Sequence, residues 1–284
     1  MIIRSIADLR AAVRGWRQSG LGCALVPTMG ALHEGHLALI RLAARSCDRV
    51  VVSIFVNPLQ FGPHEDVSRY PRRMTADVAV ALEAGAHLVF APTVAGMFPS
   101  GHATMVHVAG LSEGLCGPHR PGHFDGMATV VTKLLLQTLP DAAFFGEKDY
   151  QQLLVVRRMV RDLDIPVRIE GMQTVREPDG LAMSSRNAYL SEPQRRIAPA
   201  LAATLGDMAR RLAADGGAVA AAVAEGQARL RAAGFTAIDY VEVCDAESLA
   251  PLGRVAGPAR ILAAAWLGDT RLIDNVAVAP SPSL

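Results

Sequence analysis

CALVPTMGALHEGHLALIRLAARS, residues 23–46, is the stretch from which the fold is read. CALV (Cys23 to Val26) is a short apolar run without polar alternation, the texture of a strand buried on both faces. PTMGALHEGHL (Pro27 to Leu37) is a turn holding small residues and two histidines, and ALIRLAARS continues it as a helical pattern. A buried strand that runs straight into a helix is the first half of a βαβ unit.

The same alternation extends over roughly the first 170 residues. RVVVSIFVN, HLVFAP, AAFFGE and PVRIEGMQTV are short apolar runs bounded by turn residues. Between them lie the helical patterns RRMTADVAVALEAGA, DGMATVVTKLLLQTL and DYQQLLVVRRMVRDLD. The expected class is α/β, a Rossmann-like doubly wound parallel sheet. In such sheets ligands sit beyond the carboxyl ends of the strands, near the topological switch point. The loops after CALV, SIFV, AFF and TV are therefore the places to look. From about Glu192 the texture changes: two Ala/Arg-rich helical stretches precede IDYVEVCD, RILAAAWLG and RLIDNVAV, which read as three antiparallel strands. The expected division is a Rossmann-like domain over 1–175 and a smaller α+β domain over 176–284. The Pro/Ser tail APSPSL is expected to fray.

With 284 residues, half of them apolar, and a net charge of +1, the chain has a real core and no electrostatic footprint for nucleic acid or a membrane surface. The four cysteines are scattered without a CxxC pair and read as reduced thiols. The amphipathic start MIIRSIADLRAAVRGW is unlike a signal peptide, and no apolar run reaches membrane-spanning length. The expected location is cytoplasmic. Of the 28 basic residues only Lys133 and Lys148 are lysines, which draws attention to both, since an ammonium and a guanidinium are different tools.

Four loops carry candidate chemistry. In the first, a helix beginning near Gly35 offers free amides and a positive dipole end that suit phosphate. Gly30 and Gly35 let the backbone approach a ligand, and His33 and His36 lie about a turn apart. Such a histidine pair can also bind zinc, although no third ligand stands at metal spacing, or can simply sit at the surface. In the second loop, FVNPLQFGPHEDVSRYPR, Gln60 stands at the strand's mouth, where a neutral amide reads hydroxyl and carboxylate alike. In the third, FFGEKDYQQL, Gly146 allows a tight turn. Lys148 can reach a triphosphate there, and Asp149 can hold a ribose hydroxyl or a hydrated magnesium ion. A solvated Lys/Asp turn is the alternative. In the fourth, TVREPDGLAMSSRNAYLS, Ser184, Ser185 and Arg186 suit a loop closing over phosphates, or a helix start.

HEGH and MSSRN resemble the HIGH and KMSKS signatures of the class I aminoacyl-tRNA synthetase and nucleotidyltransferase superfamily. More narrowly, VPTMGALHEGHL, SIFVNPLQFGPHEDVSRYPR, GLCGPHRPGHFDGMATVVTKLL, FFGEKDYQQL and REPDGLAMSSRNAYLS resemble the pantothenate synthetase (pantoate–β-alanine ligase) family. MSSR lacks the first lysine of KMSKS, a feature this narrower family shares. The resemblance implies that ATP and magnesium drive the joining of (R)-pantoate to β-alanine through pantoyl adenylate, with AMP and pyrophosphate released.

Carried over residue by residue, the resemblance implies that ATP is held by Met29, Gly30, Ala31, Leu32, His33, Glu34, Gly35 and His36. Gly146, Glu147, Lys148, Asp149, Val175, Met183, Ser184, Ser185 and Arg186 complete the ATP set. His36, His33, Lys148 and Arg186 are the implied catalytic residues, with His36 as proton donor. Gln60 and Gln152 contact pantoate, and Asp77 is a candidate neighbour of magnesium. His119 and Arg120 lie in a loop expected to line the site, and the Lys133 ammonium is a further candidate to face it. The second domain is implied to act as a lid and the chain to form a homodimer. The rivals are a nucleotidyltransferase that adenylylates a phosphate ester and a non-catalytic ATP-sensing module. A tRNA-binding fragment fits poorly with a near-neutral chain.

Overall fold

The structure is a computed structural model describing residues 1–63 and 65–278, without the side chain of Asp66. His64 of the second loop and the tail APSPSL lie outside the described residues. In chain order the elements begin with β1 (Ile2–Ile3), α1 (Ile6–Gln18), β2 (Cys23–Thr28), α2 (Glu34–Ser46) and β3 (Arg49–Ile54). Next come α3 (Met74–Glu83), β4 (Leu88–Phe90), α4 (Val94–Met97), α5 (Cys116–His119) and α6 (His123–Thr138). Then follow β5 (Ala142–Gly146), α7 (Tyr150–Asp162), β6 (Arg168–Met172), α8 (Glu192–Ile197) and α9 (Ala200–Ala214). The chain closes with α10 (Val219–Ala233), β7 (Ala237–Asp245), β8 (Ala259–Leu267) and β9 (Thr270–Val278). No helix among the described residues is long and apolar enough to cross a membrane.

Two compact units share these elements. The first comprises Met1–Ser112, Arg120–Glu147 and Gln152–Gln173; the second takes Glu113–His119, Lys148–Gln151 and the chain from Thr174 onward.

In the first unit the described strands form one parallel sheet in the order β1-β4-β3-β2-β5-β6. The doubly wound α/β reading is therefore correct. Cys23 to Val26 are fully buried, as a strand covered on both faces requires. The β-branched run of β3 pairs with β2 from Arg49 opposite Cys23 to Ile54 opposite Thr28. From β2 the winding leaves in both directions, through β3 and β4 on one side and β5 and β6 on the other. The switch point thus falls between β2 and β5, where Ala24 pairs with Ala142 and Leu25 with Ala143. The loops that leave these two strands at Met29 and Gly146 flank the crevice such a reversal opens. Helix α6 is buried along most of its length, with the polar side chains of His123, Thr129, Thr132, Gln137 and Thr138 among the buried ones, which makes it an interior helix rather than a surface one. The sequence reading missed β1, whose two residues pair with Val89 and Phe90 of β4 and are too few to show a period.

The second unit contains the three-stranded antiparallel sheet β7-β8-β9, as expected from its texture. Leu201, Leu205, Met208 and Leu212 of α9 and Leu230 of α10 share a core with Ile261, Ala263 and Ala265 of β8. At Gly226 a side chain would place its Cβ 2.5 Å from the Met208 sulfur, so the two helices meet where one of them has no side chain. The stretch EPQRRIAPALAATLGDMARRLAADG is helical, as its texture indicates. It divides into α8 and α9 at Pro199, whose missing N–H cannot continue the helical ladder.

Candidate active site

His33 is the N-cap of α2, and the cap is reciprocal. Its Nδ1 accepts the Gly35 amide at 3.2 Å, while Nδ1 of His36 accepts the His33 amide at 3.3 Å. The rings lie 4.1 Å apart between centroids, tilted by 42°. A ring nitrogen that accepts from an amide carries no proton, so the neutral form of each imidazole has its N–H at Nε2. Glu34, between them, pairs with Arg41 at the surface.

The turn that leads into this cap is held from below. Gly30 has φ of +83° and Ala31 of +52°, both in the left-handed region. Asp77, only 4% exposed in the first turn of α3, accepts the Ala31 amide at Oδ2 and the Leu32 amide at Oδ1, each at 2.9 Å. A Cβ at Gly30 would lie 3.1 Å from the Asp77 carboxylate and from Ile54, so glycine there satisfies both dihedral and space. Thr28 takes the Gly30 amide on its hydroxyl at 3.2 Å and donates to the Ser53 carbonyl at 2.7 Å. Asp77 therefore builds the turn. As a magnesium ligand it fits poorly, because it is buried and both of its oxygens already accept amides. Among the described residues no group of three or more His, Cys, Asp and Glu could hold an ion.

Gln60 sits in a short 3-10 turn after β3, 7% exposed. Its Oε1 accepts from Asn57 Nδ2 at 3.0 Å and its Nε2 approaches the Met29 sulfur at 3.2 Å, which brings Gln60 beside the first loop. Asn57, 1% exposed, also donates to the Gly126 carbonyl at 3.0 Å and accepts the Leu59 amide at 3.2 Å. Asn57, Glu65 and His123 were not singled out from the sequence; the only signals were the Asn-Pro pair at a strand end and the GPHRPGHFDG run. Arg120 pairs with Glu65 within this unit, with Nη2 2.5 Å from Oε2. Burial disfavours the Glu65 anion, but hydrogen bonds and charge from Arg120 outweigh it and hold the carboxyl below its ordinary range. Lys133 places its ammonium 5.8 Å from the Phe98 ring centroid, a cation–π arrangement. Gly146 and Glu147 belong to this unit as well, and Gln152 is half-buried in α7.

The remaining candidates lie in the second unit. Lys148 is in the 3-10 turn after β5, and its carbonyl accepts from buried Asn275 of β9 at 2.9 Å. Asp149 closes that turn. The Val175 carbonyl accepts the Met183 amide at 3.0 Å, and Arg176 bridges to Ala182, so the fourth loop is a small hairpin. Arg176 anchors it with two bonds to buried Asp274, at 2.7 and 3.0 Å. Ser184 caps the turn Ser185–Tyr189 by accepting the Arg186 amide at 3.2 Å, the helix-start role weighed for it from sequence. His119 stands 3.8 Å from Asp239 and its ring centroid 6.0 Å from that of Tyr240, whose hydroxyl lies 3.1 Å from the buried Cys116 Sγ. Gln151 bonds the Cys116 amide at 3.1 Å and the Gly114 carbonyl at 2.8 Å.

A doubly wound sheet whose switch-point loop ends in a histidine-capped helix, with a buried amide at the adjoining strand, is an α/β protein with its candidate residues at the carboxyl edge of the sheet, where ligands of this class bind. The comparisons make the class specific. The family model for pantoate-beta-alanine ligase matches residues 1–277. A pantothenate synthetase from Paramagnetospirillum magneticum is 61% identical, with 98% of each chain covered. The crystal structure of pantothenate synthetase from Thermus thermophilus superposes with a TM-score of 0.92 at 50% identity, covering 98% of this chain and 99% of that one. A pantoate-beta-alanine ligase from Francisella tularensis, solved with beta-gamma ATP and beta-alanine, gives 0.83 at 32% identity over 100% of this chain and 99% of the other. The chain belongs to the pantoate-beta-alanine ligase family.

Proposed function

We propose that the switch-point loop and the loops assigned from sequence serve the ATP-dependent ligation of (R)-pantoate and β-alanine. The reaction runs through pantoyl adenylate, forms pantothenate and releases AMP and pyrophosphate. A free carboxylate is a poor acyl donor and AMP a good leaving group, so activation followed by aminolysis replaces one prohibitive step with two accessible ones. In the first step the pantoate carboxylate attacks the α-phosphorus of ATP and pyrophosphate leaves. The protein's work there is alignment and the stabilisation of spreading negative charge.

The observation that carries this reading is the reciprocal histidine cap. With both Nδ1 atoms accepting amides, each neutral ring has an Nε2–H donor suited to phosphate oxygens, at a helix start whose dipole also favours anions. His36 and His33 act in this way as charge-stabilising donors without needing to surrender a proton. Met29 to His36, Gly146, Glu147, Lys148, Asp149, Val175 and Met183 to Arg186 bind ATP, with Lys148 and Arg186 on the phosphates. Gln60 and Gln152 bind pantoate. Asp77 is committed to the turn, so magnesium accompanying ATP would be carried by the nucleotide's own phosphates, and no step is assigned to a protein-built metal site. The segment from residue 176 serves as lid, and the active species is a cytoplasmic homodimer, for which light scattering should return twice the chain mass.

Pyrophosphate exchange tests the reaction. Label from pyrophosphate should enter ATP only when pantoate is supplied. Exchange driven instead by a phosphate-ester acceptor, or ATP binding without AMP formation when pantoate and β-alanine are both present, would overturn the reading.

A further inference from the structure

His123, the first residue of α6, is 7% exposed and touches two groups whose roles are chemically fixed. Its Nδ1 lies 2.8 Å from the Gln60 carbonyl oxygen, and its Nε2 lies 3.0 Å from Nη1 of Arg120. A carbonyl oxygen only accepts and a guanidinium only donates. Both contacts hold together in one form of the ring: neutral, with its proton on Nδ1. Arg120 is itself oriented by Glu65, with Nε 3.0 Å from Oε1 and Nη2 2.5 Å from Oε2, and its Nη2 also approaches the Gln60 carbonyl at 3.5 Å. An unbroken chain thus runs from the Glu65 carboxylate through Arg120 and His123 to the main chain of Gln60.

The same helix start supports that main chain from a second side. A Cβ on Gly126 would fall 2.1 Å from the Leu59 carbonyl oxygen and 2.7 Å from the Gln60 nitrogen, so the 3-10 turn lies directly on the helix backbone. The Gln60 carboxamide is confined between Asn57 and Met29 only while the peptide plane behind it stays in place. Rotation of that plane would swing the carboxamide away, and none of these contacts involves His33 or His36.

We propose that His123 is a positioning residue for Gln60: a tautomer-locked Nδ1–H donor, set by the Glu65–Arg120 pair, that fixes the wall reading the acid substrate. The inference rests on the reading that Gln60 binds pantoate.

Asparagine can reproduce a donor at the Nδ1 position and glutamine one at Nε2, so the two variants separate a tautomer-specific role from mere bulk. In pantoate-dependent exchange, His123→Ala and His123→Gln should each raise the pantoate KM about tenfold, the usual loss for one buried hydrogen bond. His123→Asn should stay within about threefold of the parent, and the ATP KM should not change in any of the three. Equal behaviour of the Asn and Gln variants, or an unchanged pantoate KM in His123→Ala, overturns the proposal. Gln60→Ala is the control. If it leaves pantoate saturation unchanged, the substrate reading of Gln60 fails; if it raises the KM while the His123 variants do not, only the role of His123 fails. Should the variants not fold, nitrogen NMR of the histidine-labelled parent decides. His123 must show a protonated Nδ1 and a bare Nε2, and the opposite tautomer refutes the proposal.

Discussion

Asp77→Asn separates two roles for one carboxylate. In the structure Asp77 accepts the Ala31 and Leu32 amides at 2.9 Å each, from a position 4% exposed. Hydrogen bonds to a charged acceptor contribute roughly 1.5–3 kcal/mol apiece. Asparagine keeps one acceptor and turns an N–H toward the other amide, so one bond is lost and two donors are left facing each other. The expected destabilisation is about 2–3 kcal/mol, or roughly 3–5 °C in Tm for a chain of this size. The left-handed dihedrals at Gly30 and Ala31 lose their anchor, and the ATP KM should rise with the fall in Tm. The magnesium concentration needed for half-maximal exchange at saturating ATP should stay the same, because both Asp77 oxygens already accept amides. Thermal unfolding followed in parallel with a magnesium titration of exchange makes the test. An unchanged Tm together with a magnesium requirement raised about tenfold would refute the argument and return Asp77 to the metal.

Other expectations follow from the same geometry. His36→Ala should slow adenylate formation about a hundredfold; unchanged turnover with ATP affinity intact removes it from the chemistry. Asp274→Ala leaves the partly exposed Arg176 guanidinium on the Gly180 and Asn275 carbonyls and should cost about 2–3 kcal/mol in denaturant unfolding of the full chain, with looser packing of the 176–182 hairpin. Parent-like stability would contradict that. Burial, reinforced by Asp141 at Cys23 and by Glu242 at Cys244, pushes both thiols up to about 12 from 9.0. Neither thiol should alkylate at about pH 8.5, the free-thiol range, in the folded protein. Since the folded-state value is the raised one, stability is full below the free-thiol value. It then falls by about 1.4 kcal/mol per pH unit for each thiol as pH climbs towards the buried value. Early alkylation, or flat stability across that window, would show the sulfurs to be accessible.

The strand–helix alternation was readable because strands covered on both faces must be apolar along their whole length, and Cys23 to Val26 are fully buried as that demands. The histidine-bearing turn was readable for a local reason, since cap, glycine and dipole all lie within a few residues. What depends on distant partners was not. Asp77 meets its amides across 46 and 45 residues of chain, and nothing in MTADVAVALE marks an anchor for another loop. Asn275 reaches the Lys148 carbonyl across 127 residues, and Gln151 the Cys116 amide across 35; such long-range bonds place 113–119 and 148–151 in the second unit without any local pattern. His123 escaped notice because a histidine at the start of a buried helix has no signature until its two partners are known.

The reciprocal cap has a practical consequence for anyone improving this protein. Serine, aspartate and asparagine are the preferred residues at helix starts, where each contributes about 1 kcal/mol over alanine. Heat selection applied to a random library should therefore enrich those residues at position 33, and the survivors should be sturdier and inert. On the proposed role of His33, thermal screening at this helix start runs against turnover, so it needs an activity filter from the first round.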